Sequence, residues 1–574
     1  MNTTDELTTT DVLIIGGGGA GCRAAIEAHD LGAKVTMVLK GKFGNSGCTL
    51  HVGTSAVVGF NDDEDDSDIS SLCDLISFGG FLGNQDLAKI LVTETMERVE
   101  EMVDWGIDFL REDDGSVYTY RSAAHTRTRN FTFSPVNPRK HDYGIPPGMA
   151  MMDTLTEQIE RRGIRVLDDT VLIDLIKGDG KVVGATVLDC ETGSLKVVTA
   201  KSTVLATGTY SQIFSPTTVS PFETGDGHAA AYRVGAELTS MEASQFVATS
   251  IPFPPGTKFL NSLGEEFLPK YGIDNPRNFA KEPLAYAVWK EIMSGRGFKG
   301  DNIMLDLSNI QEPESFPWFM DNVERSIKKT GRDPRKEPVE SHPKSHTTMG
   351  GIVINERCET TVPGLYACGA VAGGVYGHAR PEGYTSMITL VFGKRGGEYA
   401  AQQALDSPEP VLDMDEITGS FARANAGVDE LAVTKASDIK RKIKLATKRY
   451  AWVIKDEEGL SKGLCRIQAL KDEVATLRAA TGRQWARTLE ARNLLWAVEL
   501  HFIGALARKE SRGAFFRDDY PDTEPDWLKN IIYSQVDGSL VMGYREPELK
   551  YCDPSHHGAP KYRPTSHYGV REYA

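Results

Sequence analysis

The chain of 574 residues is poor in cysteine, and none of its eight (Cys22, Cys48, Cys73, Cys190, Cys358, Cys368, Cys465, Cys552) stands in a Cys-x-x-Cys pair. That scatter excludes the usual thiol–disulfide dyad, a zinc ribbon and an iron–sulfur cluster held by this chain alone. Long apolar runs are also missing: none approaches the roughly 18 residues that cross a bilayer. Positive charge is in deficit, with 64 Lys and Arg against 80 Asp and Glu, a net of −16. Such a balance argues against nucleic acid or an anionic membrane as partner. No basic segment precedes the first short apolar run, DVLII, so a signal peptide is not expected. Internal repeats are absent, and the one biased tract is the acidic run NDDEDDSD at 61–68, read as a solvated charge run. What remains is ordinary globular material, 40% hydrophobic and 25% charged, long enough for three or four domains. The expectation is a large enzyme of a reducing cytoplasm.

Near the N-terminus Asp11–Ile15 is a short β-branched run, the mark of a buried parallel strand. Gly16-x-Gly18-x-x-Gly21 follows at once, then the alanine-rich CRAAIEAHDLG, which reads as a helix ending at Gly32, and a second strand, Lys34–Leu39. Strand, glycine turn, helix and strand form the context of a dinucleotide fingerprint. Gly16 permits the tight turn, Gly18 lets backbone approach a pyrophosphate, and Gly21 lets the helix pack close with its N–H groups toward phosphate. A second match, Gly295-x-Gly297-x-x-Gly300, follows a helix and precedes a strand, so it reads as a polar loop. The acidic ribose ligand expected after the second strand is missing, because the chain reads Leu39-Lys40-Gly41-Lys42. A plain NAD site is therefore disfavoured.

Lys40, followed by the Ser/Thr- and Gly-rich GKFGNSGCTLHVGTSA, resembles the flavoprotein subunits of succinate dehydrogenase and fumarate reductase, together with L-aspartate oxidase. The resemblance runs nearly the whole length. It takes in the stretch 171–208, a β-meander ending on Thr207-Gly208, then Thr224–Gly227 (TGDG), and the segments 346–355 and 364–401. It implies an α/β fold: a Rossmann-like FAD-binding domain (1–235 and 350–430), an inserted α+β capping domain (236–349), a helical C-terminal domain (431–545) and an extended tail (546–574). It also implies cofactor contacts from Gly16, Gly18, Gly19, Ala20, Gly21, Leu39, Lys40, Asn45, Ser46, Gly47, Gly53, Thr207, Gly208, Asp226, Gly369, Gly383, Ser386 and Met387. The family's covalent histidine falls at Gly47, so the FAD is expected to be non-covalent, with nearby His51 a polar contact. The family's ribose-binding glutamate is replaced by Ala370. The helix from about Thr385 is expected to aim its positive end at the flavin. The His556-His557 pair in the tail reads as surface rather than as a metal ligand, and no metal site is expected.

Around the substrate the pattern breaks. His346 and Arg380 match the family's dicarboxylate clamp, but the second histidine falls at Val247 and the threonine–glutamate loop is deleted. The acid–base arginine is placed at Tyr286, with Lys290 four residues on along the helix face; both also read as a packed tyrosine and an exposed lysine. An unpaired carboxylate in a closed pocket is costly, so succinate and fumarate are not the expected substrates. A one-ended site remains, in which Arg380 grips a carboxylate or carbonyl and His346 adds a hydrogen bond and a share of positive charge. Arg127, Arg129, Arg139 and His141 form a basic region that faces either substrate or a partner. Three readings compete. The first is a flavin-dependent C–C/C=C oxidoreductase exchanging electrons with a separate iron–sulfur or other redox subunit in an oligomeric or heteromeric complex, without membrane insertion. The others are a relative of the adenylylsulfate reductase alpha chain and a non-catalytic flavoprotein of assembly or binding. The first is preferred.

Overall fold

The computed structural model describes residues 6–60, 63–134, 147–251, 253–310, 323–324, 327–328 and 331–555. Its main sheet begins with the β-branched strand Glu6–Ile15, flanked by Val35–Val38 on one side and Leu195–Leu205 on the other, all parallel. Arg165–Leu167 extends one edge, and Thr170–Gly178, Lys181–Asp189 and Leu195–Leu205 form an antiparallel meander toward the other. Ile15 pairs with both Val38 and Leu205, so three strands end level at Gly16, Leu39 and Ala206. Ligands of open α/β sheets bind beyond such carboxyl ends.

Two helices lie against each other over this crest, Gly19–Asp30 and Tyr384–Leu405. Their approach depends on glycine: a Cβ at Gly397 would sit 2.2 Å from the Ala24 carbonyl oxygen, and one at Gly393 2.8 Å from that of Ala20. Chain segments more than 350 residues apart therefore close on the same strand end.

A second sheet joins Ala372–Gly373, Gly351–Val353, Leu238–Thr239, Asn530–Val536 and Ser539–Arg545. The segment between carries a three-stranded sheet (Lys258–Leu260, Ile303–Asp306, Val339–Ser341) and the helix Lys281–Glu291. It is tied to the body by the strand pair Ser244–Val247 and Lys344–Thr348. Gly295 and Gly300 both have positive φ in the loop before Ile303–Asp306, a turn and not a nucleotide cradle. Three long helices, Ala436–Tyr450, Glu457–Val474 and Gly482–Ala507, pack together, after which the chain returns as the hairpin Asn530–Val536/Ser539–Arg545. Among the described residues no helix is long and apolar enough to cross a membrane.

The acidic run is less solvated than its composition suggests. Asp66 pairs with Arg129 at 2.7 Å, and Arg129, fully buried, also holds Asp74 at 2.6 Å. Arg127 lies 3.5 Å from Asp63 and 3.4 Å from Asp65. These two arginines are paired with the chain's own carboxylates. Arg139, His141, His556 and His557 lie outside the described residues.

Candidate active site

At the crest of the main sheet the backbone opens a cleft. Its wall contains Gly16, Gly18, Gly19, Ala20, Leu39, Lys40, Ser46, Gly47, Thr207, Gly208 and Asp226 from the sequence reading. Cys48, Thr49, Glu223, Ala370, Thr385 and Thr389 also line it. Gly21, Asn45, Gly53, Gly369, Gly383, Ser386 and Met387 stand outside that wall. Gly21 serves packing, since a Cβ there would meet the Gly16 carbonyl oxygen at 1.9 Å. Gly383 has φ +94° and a Cβ would crowd Ala56 and Asn130, so it shapes the helix start. The Ser386 hydroxyl bonds Ser55 Oγ at 2.8 Å and Met387 is fully buried, so neither side chain faces the cleft. His51 is exposed and away from the wall.

Lys40 points across the cleft floor. Its Nζ donates to Asp226 Oδ2 at 2.6 Å and lies 3.2 Å from Glu490, while Asp226 Oδ1 accepts from Asn493 at 2.8 Å. Burial opposes the Lys40 charge, but the two carboxylates win and push its pKa up. Lys40 and Asp226 thus tie the cleft to the helix Gly482–Ala507. Glu223, buried in the same wall, is pushed up by its burial against the Thr209 amide that donates to it.

The catalytic candidates gather where the insert meets the body. In the strand pair, Gln245 faces Thr347 and Phe246 faces Ser345, which leaves His346 as the extra residue of a bulge. A bulge re-aims its side chain, and His346 is turned toward Arg380, whose Nη2 lies 3.3 Å from His346 Nε2. A guanidinium only donates, so Nε2 accepts and the ring proton sits on Nδ1, which donates to Thr218 Oγ1 at 2.9 Å. Burial, then the Lys281 and Arg380 charges, hold the His346 pKa well below its ordinary value. The ring is neutral, not a share of positive charge. Arg380 is 6% exposed, and its Nε has no hydrogen-bond partner among the described residues. Its carbonyl accepts from Gln245 Nε2 at 3.0 Å, and Gln245 also donates to Glu282.

Tyr286 and Lys290 stand elsewhere. The Tyr286 ring packs edge-on against Phe516 with centroids 5.0 Å apart, and Lys290 pairs with Asp518. The cap helix instead offers its first residue, Lys281, within the electrostatic reach of Glu382, Glu282, Arg380 and His346. Burial, and Arg380 beyond it, lower the Lys281 pKa, with Glu382 and Glu282 opposing. A lysine at the first turn also opposes the helix dipole. That conflict is the signal the sequence carries: the Ala280-Lys281-Glu282 start puts a cation where helices favour anions. Val247 stands opposite Lys344 in the same strand pair.

Fold and cleft together define an FAD-binding oxidoreductase. A family model described as an FAD binding domain matches residues 11–386, and one described as the fumarate reductase flavoprotein C-terminus matches 440–565. An uncharacterised FAD-dependent oxidoreductase of Methanocaldococcus jannaschii is 34% identical over 559 residues, covering 94% of this chain and all of that one. A subunit of the CoM/CoB fumarate reductase of Methanothermobacter marburgensis is 31% identical, covering 92% and 98%. Among solved structures, Mycobacterium smegmatis Sdh1 in complex with UQ1 superposes with TM-score 0.84 at 28% identity over 99% of both chains. The chain belongs to the fumarate reductase/succinate dehydrogenase flavoprotein family. The residues present suit FAD: the cleft is edged by glycine backbone, and Thr207 Oγ1 is buried in its wall without a partner among the described residues.

Proposed function

We propose that the chain is the flavoprotein subunit of an oxidoreductase acting on a C–C or C=C bond next to a carboxylate or carbonyl. The observation that carries this reading is the convergence of Arg380, neutral His346 and Lys281 beside a cleft suited to FAD. Bound FAD, held without a covalent bond since Gly47 has no side chain, supplies hydride exchange at N5. Arg380, with its free Nε–H, grips the substrate carboxylate and draws electron density toward it. Neutral His346 stays fixed by Thr218 and steers the guanidinium. Lys281, its ammonium made more acidic by burial and Arg380, moves the proton to or from the carbon next to the activating group. This assigns to Lys281 the step that the sequence pattern placed on Tyr286.

Electrons are exchanged with a separate iron–sulfur or other redox protein, since the chain's cysteines offer no cluster ligands. Val247 and the lost threonine–glutamate loop favour a mono-acid or thioester enoate. A second reading, fumarate itself, is favoured by Lys281 as an additional cation and by the name of the M. marburgensis relative. Anaerobic reoxidation of the dithionite-reduced flavin, followed by absorbance, separates them. The panel is fumarate, mono-acid enoates, thioester enoates and adenylylsulfate. Reoxidation by a mono-acid or thioester alone supports the first reading. Fast reoxidation by fumarate establishes the second, and by adenylylsulfate alone overturns both.

A further inference from the structure

Lys281, Arg380 and His346 stand on three separate pieces of chain, and one buried residue reaches all three pieces. Gln245 is fully buried in the strand Ser244–Val247. It faces Thr347 at the last pair before the register slips, and that slip leaves His346 as the extra residue. Its Nε2 donates to the Arg380 carbonyl at 3.0 Å and to Oε1 of Glu282, the neighbour of Lys281 in the first turn of the cap helix. A primary amide has two N–H donors, and here one serves the body and the other the insert. The opposite amide orientation would set an oxygen against a carbonyl and a carboxylate. The amide keeps its orientation although its own Oε1, buried, finds no partner among the described residues. The Arg380 loop is also held from its other side, where His125 Nε2 lies 2.7 Å from the Glu382 carbonyl oxygen and Asn130 Nδ2 donates to it at 3.1 Å. Those two bonds fasten the loop to the body, whereas Gln245 joins it to the cap helix.

We propose that Gln245 is a positioning residue that sets Lys281 against Arg380, so that the proton carrier and the carboxylate grip meet one substrate in register. The inference rests on the roles proposed above for those two residues. Grip and proton transfer act on nearby atoms of the same molecule, and a misplacement of about 1 Å costs on the order of 10² in rate. Gln245 acts through the backbone carbonyl of Arg380 and through the residue next to Lys281.

The test uses the full-length, FAD-loaded protein and whichever of fumarate, crotonate and crotonyl-CoA reoxidises the dithionite-reduced flavin. Rates are taken per bound FAD, so loss of folded protein does not enter. Gln245→Leu is expected to keep FAD and to lower kcat about 30-fold while KM rises less than about threefold, since the guanidinium still grips. Gln245→Glu is the sharper variant. Its carboxyl would meet the Glu282 carboxylate and the Arg380 carbonyl, both of which need a donor, so it replaces the amide only while it carries a proton. Glu282 and Glu382 favour that proton, Lys281 and Arg380 oppose it, and His346 is neutral. The kcat of Gln245→Glu relative to the wild type should therefore be highest at about pH 5 and fall about tenfold toward about pH 8. A Gln245→Leu enzyme with wild-type kcat, its loss confined to KM or absent, overturns the proposal. So does a Gln245→Glu ratio that is flat with pH, and this decides alone if the leucine variant does not fold. Lys281→Met separates the two levels. If it keeps full turnover, or if none of the three compounds reoxidises the wild type, the reading of the site falls and this inference with it. If Lys281→Met is impaired and the Gln245 variants are not, this inference alone falls.

Discussion

At the scale of single residues, the site turns on three cationic or neutral nitrogens whose states differ by burial and neighbours. Lys281→Met should keep FAD bound, read by the flavin absorbance, while turnover on an accepted substrate falls roughly 10²- to 10⁴-fold, the usual span for a lost proton carrier. Lys281→Arg should recover part of that loss, and unchanged turnover in Lys281→Met would remove the residue from the chemistry. Arg380→Ala should abolish turnover while leaving FAD in place, since Arg380 is not part of the cleft wall. Gly16→Ala strikes earlier: at φ +118° its Cβ would lie 2.2 Å from the Ala206 carbonyl oxygen, so the protein should lose FAD or fail to fold. These residues are unequally legible. Gly16 and Gly21 announce themselves because no other residue satisfies that backbone and that approach. His346 and Arg380 are recognisable by position, but the neutrality of His346 depends on Lys281 and Arg380 folding over it. Lys281 hides behind Tyr286, five residues on, because helical spacing alone does not say which turn of a cap helix meets the body.

At the scale of elements, the insert and the terminal helices are fastened by buried charge. Glu242, fully buried, lies 3.2 Å from His378 and 3.1 Å from Arg508, and accepts from Tyr533 at 2.9 Å. Arg508 passes the network to Glu510, which also holds Arg512. It thus joins the end of Gly482–Ala507, the strand Asn530–Val536 and the loop carrying Arg380. Removing one partner of a buried pair strands the other, at about 3–5 kcal/mol. Glu242→Ala should lose stability of that order in urea unfolding, and a loss under about 1 kcal/mol would show the network relaxes. Burial works against the Glu242 carboxylate, but His378 and Arg508 bring its pKa to about 2. Its contribution is complete above the ordinary glutamate value and disappears as pH falls through about 2. The meander, the helices and the fingerprint are readable because each is a local pattern. This network is not, since its members lie up to 291 residues apart.

At the scale of the whole molecule, acid should loosen the fold well before carboxylates titrate. His228 and His501 are fully buried, and burial, aided for His501 by the Lys455 charge, lowers each pKa to about 4. The unfolded chain takes up protons there from about pH 6.5 downward while the folded chain refuses them. Stability should therefore fall as pH drops from about 6.5 to 4, by up to roughly 2.7 kcal/mol per pH unit from the two together. A flat melting temperature across that window would contradict it.

The final hairpin carries a consequence in time. Leu238–Thr239 pairs on one side with Gly351–Val353 and on the other with Asn530–Val536, so the middle strand of the second sheet waits for residues made almost 300 positions later. Ribosomes deliver the N-terminus first, and contacts so distant in sequence form slowly. A nascent chain can lay down the glycine turn and the meander early. Its second sheet, and with it the buried partner of Glu242, is completed only once Asn530–Arg545 has been made. Until those residues emerge, the strand Leu238–Thr239 lacks one of its two neighbours and keeps an open edge.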